Sequence, residues 1–109
     1  MEAPINIKDF VVNEVTNKRK LAEFYNYKGV QQADEGNLIE ALKYFNKALQ
    51  IDPMYKEAMF NRATIKADLG EFEKAREDFC KISSMNIQAR RENLIENFIT
   101  NKTPNINFY

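Results

Sequence analysis

The residues able to do chemistry are few in this chain. It has no histidine and one cysteine, Cys80, whereas histidine is the commonest general base and metal ligand and usually activates a cysteine nucleophile. The acidic pairs Glu71/Glu73 and Glu77/Asp78 could act as acid and base or bind Mg²⁺. They stand among lysines and arginines, which indicates a solvated helix surface. With no glycine-rich phosphate loop either, the sequence predicts no enzyme, no metal site and no cofactor.

The charge balance argues against a nucleic-acid partner. Sixteen Lys and Arg residues match sixteen Asp and Glu residues, so no net field draws in a polyanion. Short basic runs occur at 18–20 and 90–91, and runs of this length are usually solvated faces of helices. We expect neither a nucleic acid nor a membrane as partner.

The composition predicts one folded helical domain. Hydrophobic residues make up 44% and charged residues 29% of 109 residues, and only three Gly and three Pro are present, too few for the turns of an all-β domain. Residues 1–6 lack a basic segment leading into an apolar one, and no run is long enough to cross a bilayer. Because the lone cysteine suits a reducing compartment, the expected location is the cytoplasm.

An internal repeat with a period of about 34 residues decides the expected architecture. Residues separated by this period are identical at six places in one window. The identical pairs are Ala33/Ala67, Asp34/Asp68, Gly36/Gly70, Ala41/Ala75, Phe45/Phe79 and Lys47/Lys81. Apolar residues at three- and four-residue spacing lie on either side of each glycine, which predicts two helical hairpins.

The turns of these hairpins are specified locally. Gly36 can adopt the left-handed conformation that ends a helix. Asn37, with Glu40 three residues later, predicts a capping box for the second helix. Pro53 predicts the end of the first hairpin, because the residue before a proline disfavours helix, and a new hairpin should begin near Met54.

These features resemble the tetratricopeptide repeat family, which has a unit of about 34 residues, small residues at helix crossings and a closing proline. In 22–55 the matching residues are Tyr25, Gly29, Ala41, Phe45, Ala48 and Pro53. In the second unit, 56–87, they are Met59, Ala63, Ala75 and Phe79. The chain departs from the pattern at Lys28, Gln32, Ile82 and Ile87, the last of which replaces the closing proline. The small residues should let helix axes approach while Phe45 and Phe79 fill the core.

The resemblance implies an all-α fold of antiparallel hairpins stacked as a short right-handed solenoid within residues 21–100. Residues 1–20 are expected to be an N-terminal extension that forms a helix, and 101–109 a flexible tail or an anchor in a neighbouring groove. Residues 88–100 read as one further helix, which either caps the last repeat or begins a third repeat that another chain completes.

The family resemblance also implies a non-catalytic module that binds a peptide or helix of a partner protein in its concave groove. It places there Glu23, Asn26, Val30, Glu57, Phe60, Asn61, Thr64, Arg91, Leu94 and Phe98. Some members bind chaperone C-termini through a basic, asparagine-bearing carboxylate clamp. Only Asn61, and loosely Arg91, fits that clamp here, so we expect a different ligand.

A structural subunit that self-associates is the alternative, because two repeats are fewer than such a stack usually needs. The aromatic residues Phe24 and Tyr27 exceed what one hairpin partner covers. Either the N-terminal segment folds back over them or a partner does, and Leu94 with Phe98 offers a second surface for dimerisation. Cys80 is expected to be a packing or half-buried residue.

Overall fold

The computed structural model describes residues 7–100, with side chains from residue 15 to residue 99. They form four helices: α1 (Ile7–Asp34), α2 (Leu38–Ile51), α3 (Lys56–Asp68) and α4 (Phe72–Thr100). The part of the chain described in this way has no β-strand, which confirms the predicted all-α class. Helix α1 pairs with α2 and α3 pairs with α4, while α3 also packs against α2 and touches α1.

Glycines end the first helix of each hairpin, as predicted. Gly36 has a φ of 82° and Gly70 a φ of 83°. In the first turn the amide of Asn37 donates to the carbonyl of Gln32 at 2.8 Å, and the amide of Gly36 donates to that of Ala33 at 3.0 Å. The second turn repeats this pair of bonds. Such bonds satisfy carbonyls that the helix end would otherwise leave without partners.

The predicted capping box at Asn37 is wrong. The Asn37 side chain makes no cap hydrogen bond to α2. Its Nδ2 instead donates to Oε1 of Gln32 at 2.9 Å, at the end of α1. Glu40 accepts a bond from Nζ of Lys43 at 2.9 Å. Asn37 and Glu40 therefore do not bond to each other's backbone amides: Asn37 bonds back to α1, and Glu40 bonds forward along α2.

Pro53 and Ile87 occupy equivalent positions of the two repeats and produce opposite results. Helix α2 ends at Ile51, two residues before the proline. Nothing comparable stops α4, which runs without a break to Thr100. Residues 88–100 are helical as expected, but they form the second half of α4 and not a separate helix, and the side chains of 90–99 are exposed.

Residues 7–20 are helical as expected, but they continue directly into the first helix of the first hairpin. Along this length the N-terminal segment cannot fold back over Phe24 and Tyr27, whose side chains are 51% and 59% exposed. That alternative is wrong for residues 7–20. The predictions made for residues 1–6 and for the tail at 101–109 lie outside the described residues.

Two helical extensions flank the turn between the hairpins. Helix α1 is twice as long as its partner α2. Residues 21–34 pair with α2, and residues 7–20, here called the α1 extension, project beyond the end of α2. Met85 still packs on Ala58 and Met59, so residues 87–100, the α4 extension, project beyond the start of α3. Both emerge beside the turn at 52–55, and α1 and α4 are not in contact with each other.

Phe45 lies at the centre of the core of the first hairpin. Its side chain is 1% exposed and packs with Ala41 and Ile65. A Cβ placed on Gly29 would lie 2.5 Å from Cε1 of Phe45, so the glycine is what lets α1 and α2 come this close. The predicted packing role of the small residues is confirmed, since Ala41, Ala63 and Ala75 are also buried.

The second hairpin is less covered than predicted. Phe79, the counterpart of Phe45, remains 36% exposed. Cys80 is exposed and not half-buried as expected. Its counterpart Asn46 accepts a bond from Nη1 of Arg62 on the following helix at 3.1 Å. No described helix follows α4, so Cys80 has no such neighbour.

A buried carboxylate joins α3 to α4. Asp78 is 6% exposed, so its assignment to a solvated acidic pair is wrong. Arg62 donates to it from Nε at 2.9 Å and from Nη2 at 2.7 Å, and Nζ of Lys66 donates at 3.1 Å. Burial alone would raise the pKa of Asp78, but the hydrogen bonds and charges of Arg62 and Lys66 outweigh burial and hold it below its usual value.

Replacing Gly29 tests the close contact of α1 and α2. In Gly29→Ala the new methyl group meets the Phe45 ring, and such overpacking costs about 1–3 kcal/mol. This exceeds the gain of up to about 1 kcal/mol that alanine brings to a helix. We expect a lower urea midpoint, with a smaller loss when Phe45→Leu is already present. An unchanged or higher midpoint for Gly29→Ala would contradict the packing described.

Replacing Asp78 tests the buried carboxylate. Asp78→Asn leaves Arg62 and Lys66 without their charged partner, which should lower the free energy of unfolding at pH 7 by about 3 kcal/mol. Because the folded pKa is depressed, the stabilisation is present above the unfolded value of 3.8 and is lost as pH falls through the lower folded value. Denaturation followed from pH 6 to about pH 2 should show this loss in the wild type and a flatter profile in Asp78→Asn. Parallel profiles would contradict the assignment.

Candidate protein-binding surface

Corresponding residues of the two first helices share one surface. Glu23 and Val30 on α1 occupy the same repeat positions as Glu57 and Thr64 on α3. Glu23, Glu57 and Thr64 are exposed, whereas Val30 is half-buried against the cluster that contains Phe45. We call the side of α1 and α3 that carries these residues the concave surface.

Asn26 supports this surface from below. It is 4% exposed, and its Oδ1 accepts a bond from Nδ2 of the half-buried Asn61 at 3.0 Å. Its own Nδ2 donates to the hydroxyl of Tyr55 at 3.4 Å. Both ends of the Asn26 amide are therefore engaged within the chain, and its role is to join α1 to α3.

Phe60 occupies a different place from its counterpart in the first repeat. That counterpart is Asn26, which is covered by the following first helix, α3. No described helix follows α4, so Phe60 remains 55% exposed. Its ring meets that of Phe79 edge-on, with centroids 5.6 Å apart. Phe60 thus borders both the concave surface and the side of the second hairpin that a further repeat would cover.

A cleft lies at the end of the concave surface, where the turn between the hairpins meets the α1 extension. It is open to solvent, encloses about 400 Å³ and receives Glu23 and Glu57 from successive repeats. Its other lining residues are Arg19, Asp52, Met54, Tyr55 and Lys56. Burial, followed by the charges of Glu57 and Glu23, raises the pKa of the Tyr55 hydroxyl. The cleft is therefore rich in carboxylates.

The structure does not bring Arg91, Leu94 and Phe98 to the concave surface as the first helix of a third repeat. They lie on the α4 extension, within the second helix of the second repeat. All three are exposed, Leu94 at 69% and Phe98 at 70%. Helix α1, which carries Glu23, makes no contact with α4. These three residues belong to a separate surface.

Sequence reasoning did not place Tyr27 in the groove. Tyr27 is 59% exposed, and its hydroxyl accepts a bond from Nε2 of Gln31 at 3.1 Å. It occupies the position in the first repeat that Asn61 occupies in the second. The family resemblance places Asn61 in the expected groove, and the repeat lag extends that expectation to Tyr27, so this signal was available in the sequence.

Comparison with known proteins accounts for the repeats. Models of the tetratricopeptide repeat match residues 22–55 and 56–86. The chain belongs to the tetratricopeptide repeat family. An uncharacterised protein of Methanocaldococcus jannaschii is 47% identical over 60 residues, which cover 55% of this chain and 70% of that protein. No solved structure matches.

Two other relatives show the repeat in longer chains. A tetratricopeptide repeat protein 36 homolog of Nematostella vectensis is 36% identical over 62 residues, which are 57% of this chain and 34% of the relative. A UDP-N-acetylglucosamine--peptide N-acetylglucosaminyltransferase of Giardia intestinalis is 36% identical over 58 residues, 53% of this chain but 4% of that enzyme. The match to the enzyme is thus confined to a small part of it.

Membership of the tetratricopeptide repeat family indicates a protein-interaction or scaffold module, and such repeats are generally non-catalytic. Among the described residues, no three His, Cys, Asp or Glu side chains are placed to hold a metal ion. None of the four helices, over the part of each that is described, is long and apolar enough to cross a membrane.

Removing the Asn61 side chain tests the support beneath the concave surface. In Asn61→Ala the buried Oδ1 of Asn26 loses its donor, which should lower the free energy of unfolding by about 1–3 kcal/mol. Thr64→Ala, one turn further along α3, is the control and should change stability by less than about 0.5 kcal/mol. Equal thermal midpoints for Asn61→Ala and wild type would show that the Asn26–Asn61 bond does not stabilise the fold.

Proposed function

We propose that this tetratricopeptide repeat protein binds a peptide or helix of a partner protein along its concave surface. The observation that carries the proposal is the convergence of Glu23 and Glu57, equivalent residues of successive repeats, on one open cleft. A surface on which equivalent residues of successive repeats align is what a stacked array offers to an extended ligand. The surrounding side chains of Tyr27, Phe60 and Thr64 supply apolar and polar contacts.

The charges of the cleft favour a basic segment. Glu23, Asp52 and Glu57 outnumber Arg19 and Lys56 among its lining residues. A lysine or arginine side chain entering the cleft would gain charge-assisted hydrogen bonds from these carboxylates. A C-terminal carboxylate would be repelled by them, which speaks against the acidic tail of a chaperone. The preferred ligand is therefore a segment with a basic residue next to an apolar one.

The single cysteine supports a reducing compartment such as the cytoplasm for this interaction. Residues 21–100 remain our proposed binding domain. The chain spans only part of its longer relatives, so the partner of any larger protein that carries these repeats is not implied by this proposal.

Charge reversal in the cleft tests the proposal. An array of short peptides should give binders that carry Lys or Arg beside an apolar residue. For the best binder, Glu57→Lys should raise the Kd at least about tenfold. Thr64→Arg should have a similar effect by blocking the middle of the surface.

The matched control is Glu40→Lys, an exposed charge reversal on α2, which should leave the Kd unchanged. Circular dichroism would confirm that all three variants fold. Equal affinity of wild type, Glu57→Lys and Thr64→Arg would remove the concave surface as the binding site. A preference for acidic peptides would contradict the assigned role of the cleft.

A further inference from the structure

The α4 extension carries an apolar stripe that points away from the core. Met85 is 9% exposed and belongs to the core cluster that also contains Ala58 and Met59 of α3. Ile87, two residues later, lies about 200° further round the helix, on the opposite side. Leu94 and Phe98 follow at spacings of seven and four residues and share that side. Their exposures are 53%, 69% and 70% in chain order.

This stripe borders the side of α4 that would meet a further repeat, because its α2 counterpart Asn46 touches the following helix while staying exposed. On α2, Asn46 contacts α3 through Arg62, and Cys80 is its counterpart on α4. Ile87 follows Cys80 by seven residues, which places it on the same side. We define the outer stripe of α4 as Cys80, Ile87, Leu94 and Phe98. All four are exposed, and in the described chain no helix lies against them.

The charges beside the outer stripe are complementary to those of a second α4 helix that runs in the opposite direction. Glu77 lies next to its first half and Arg91 next to its second half, on the same flank. Glu73 and Arg76, also in the first half, pair with each other at 3.6 Å. Across residues 15–99 no ion pair is formed by Glu77 or Arg91. In an antiparallel pair of helices, equivalent flanks face each other, so each Glu77 would meet the Arg91 of the other copy.

We propose that the outer stripe binds a second copy of this chain, with the two α4 helices antiparallel about a two-fold axis near Ser84. A two-fold interface uses the same patch on both copies, so it closes after two. Each Ile87 lies beside Cys80 of the other copy, and Phe98 reaches towards Phe72, which is 70% exposed. Two Glu77–Arg91 pairs border this apolar contact and fix its register. This surface is distinct from the cleft at Glu23 and Glu57.

Molar mass by light scattering over a concentration series up to about 1 mM gives the first test. We expect the mass to rise from 12.8 kDa towards twice that value. Arg91→Glu and Glu77→Lys should each raise the dimer dissociation constant at least about tenfold, because like charges then face each other. The double variant E77K/R91E should restore the wild-type constant to within about threefold.

Cys80 supplies a second measurement on the native chain. In the proposed register the two cysteines lie about 12 Å apart along the helix axis. Both face the other copy, so with axes about 9 Å apart they are about 13 Å apart in space. A bismaleimide spanning about 13 Å should therefore link two copies, and Arg91→Glu should suppress the product. The link is unambiguous because Cys80 is the only cysteine in the chain.

The control is Glu40→Lys, a charge reversal on the exposed surface of α2, which does not touch α4; it should leave the dissociation constant unchanged. A mass of 12.8 kDa at every concentration would overturn the proposal. A dimer that tolerates Arg91→Glu and Glu77→Lys would also overturn it by assigning the contact to another surface. Neither result affects the peptide-binding test, whose variants lie on α3.

Discussion

The contact between Phe45 and Gly29 sets the geometry on which the rest of the molecule depends. Phe45 is fully buried, and the glycine lets its ring lie directly against the backbone of α1. The same ring packs with Ile65 of α3, so one side chain spaces three helices. Because Phe45 holds α1 and α3 side by side, the equivalent residues Glu23 and Glu57 line the same cleft. The electrostatics of the cleft therefore follow from a packing constraint at some distance from it.

The second hairpin repeats this geometry without its covering helix. Phe79 corresponds to the buried Phe45, yet it remains exposed because no described helix follows α4. Cys80 is exposed, as is its counterpart Asn46. Here the buried Asp78, held by Arg62 and Lys66, joins α3 to α4 in addition to the apolar packing. Removing one member of such a buried ion pair is strongly destabilising, because it leaves an uncompensated charge.

The sequence predicted the features that local chemistry determines. Gly36 and Pro53 affect only the backbone of neighbouring residues, so the sequence predicts the turn after α1 and the end of α2 without knowledge of the tertiary structure. The replacement of the closing proline by Ile87 is visible in the sequence, and α4 runs through this position to Thr100. Asp78 and Asn26 were misjudged for a different reason. Burial of a polar residue depends on partners far along the chain, such as Lys66 for Asp78 and Asn61 for Asn26, and periodicity does not reveal them.

Two surfaces with different chemistry result from one repeat. Within the array, equivalent residues align on the concave surface, where carboxylates and aromatic rings suit an extended ligand. On the outer side of α4, Ile87, Leu94 and Phe98 are exposed. A large exposed apolar patch is costly in water and is usually an interaction site. Covering this side of α4 would leave the concave surface free for a partner, because the two surfaces lie on different helices.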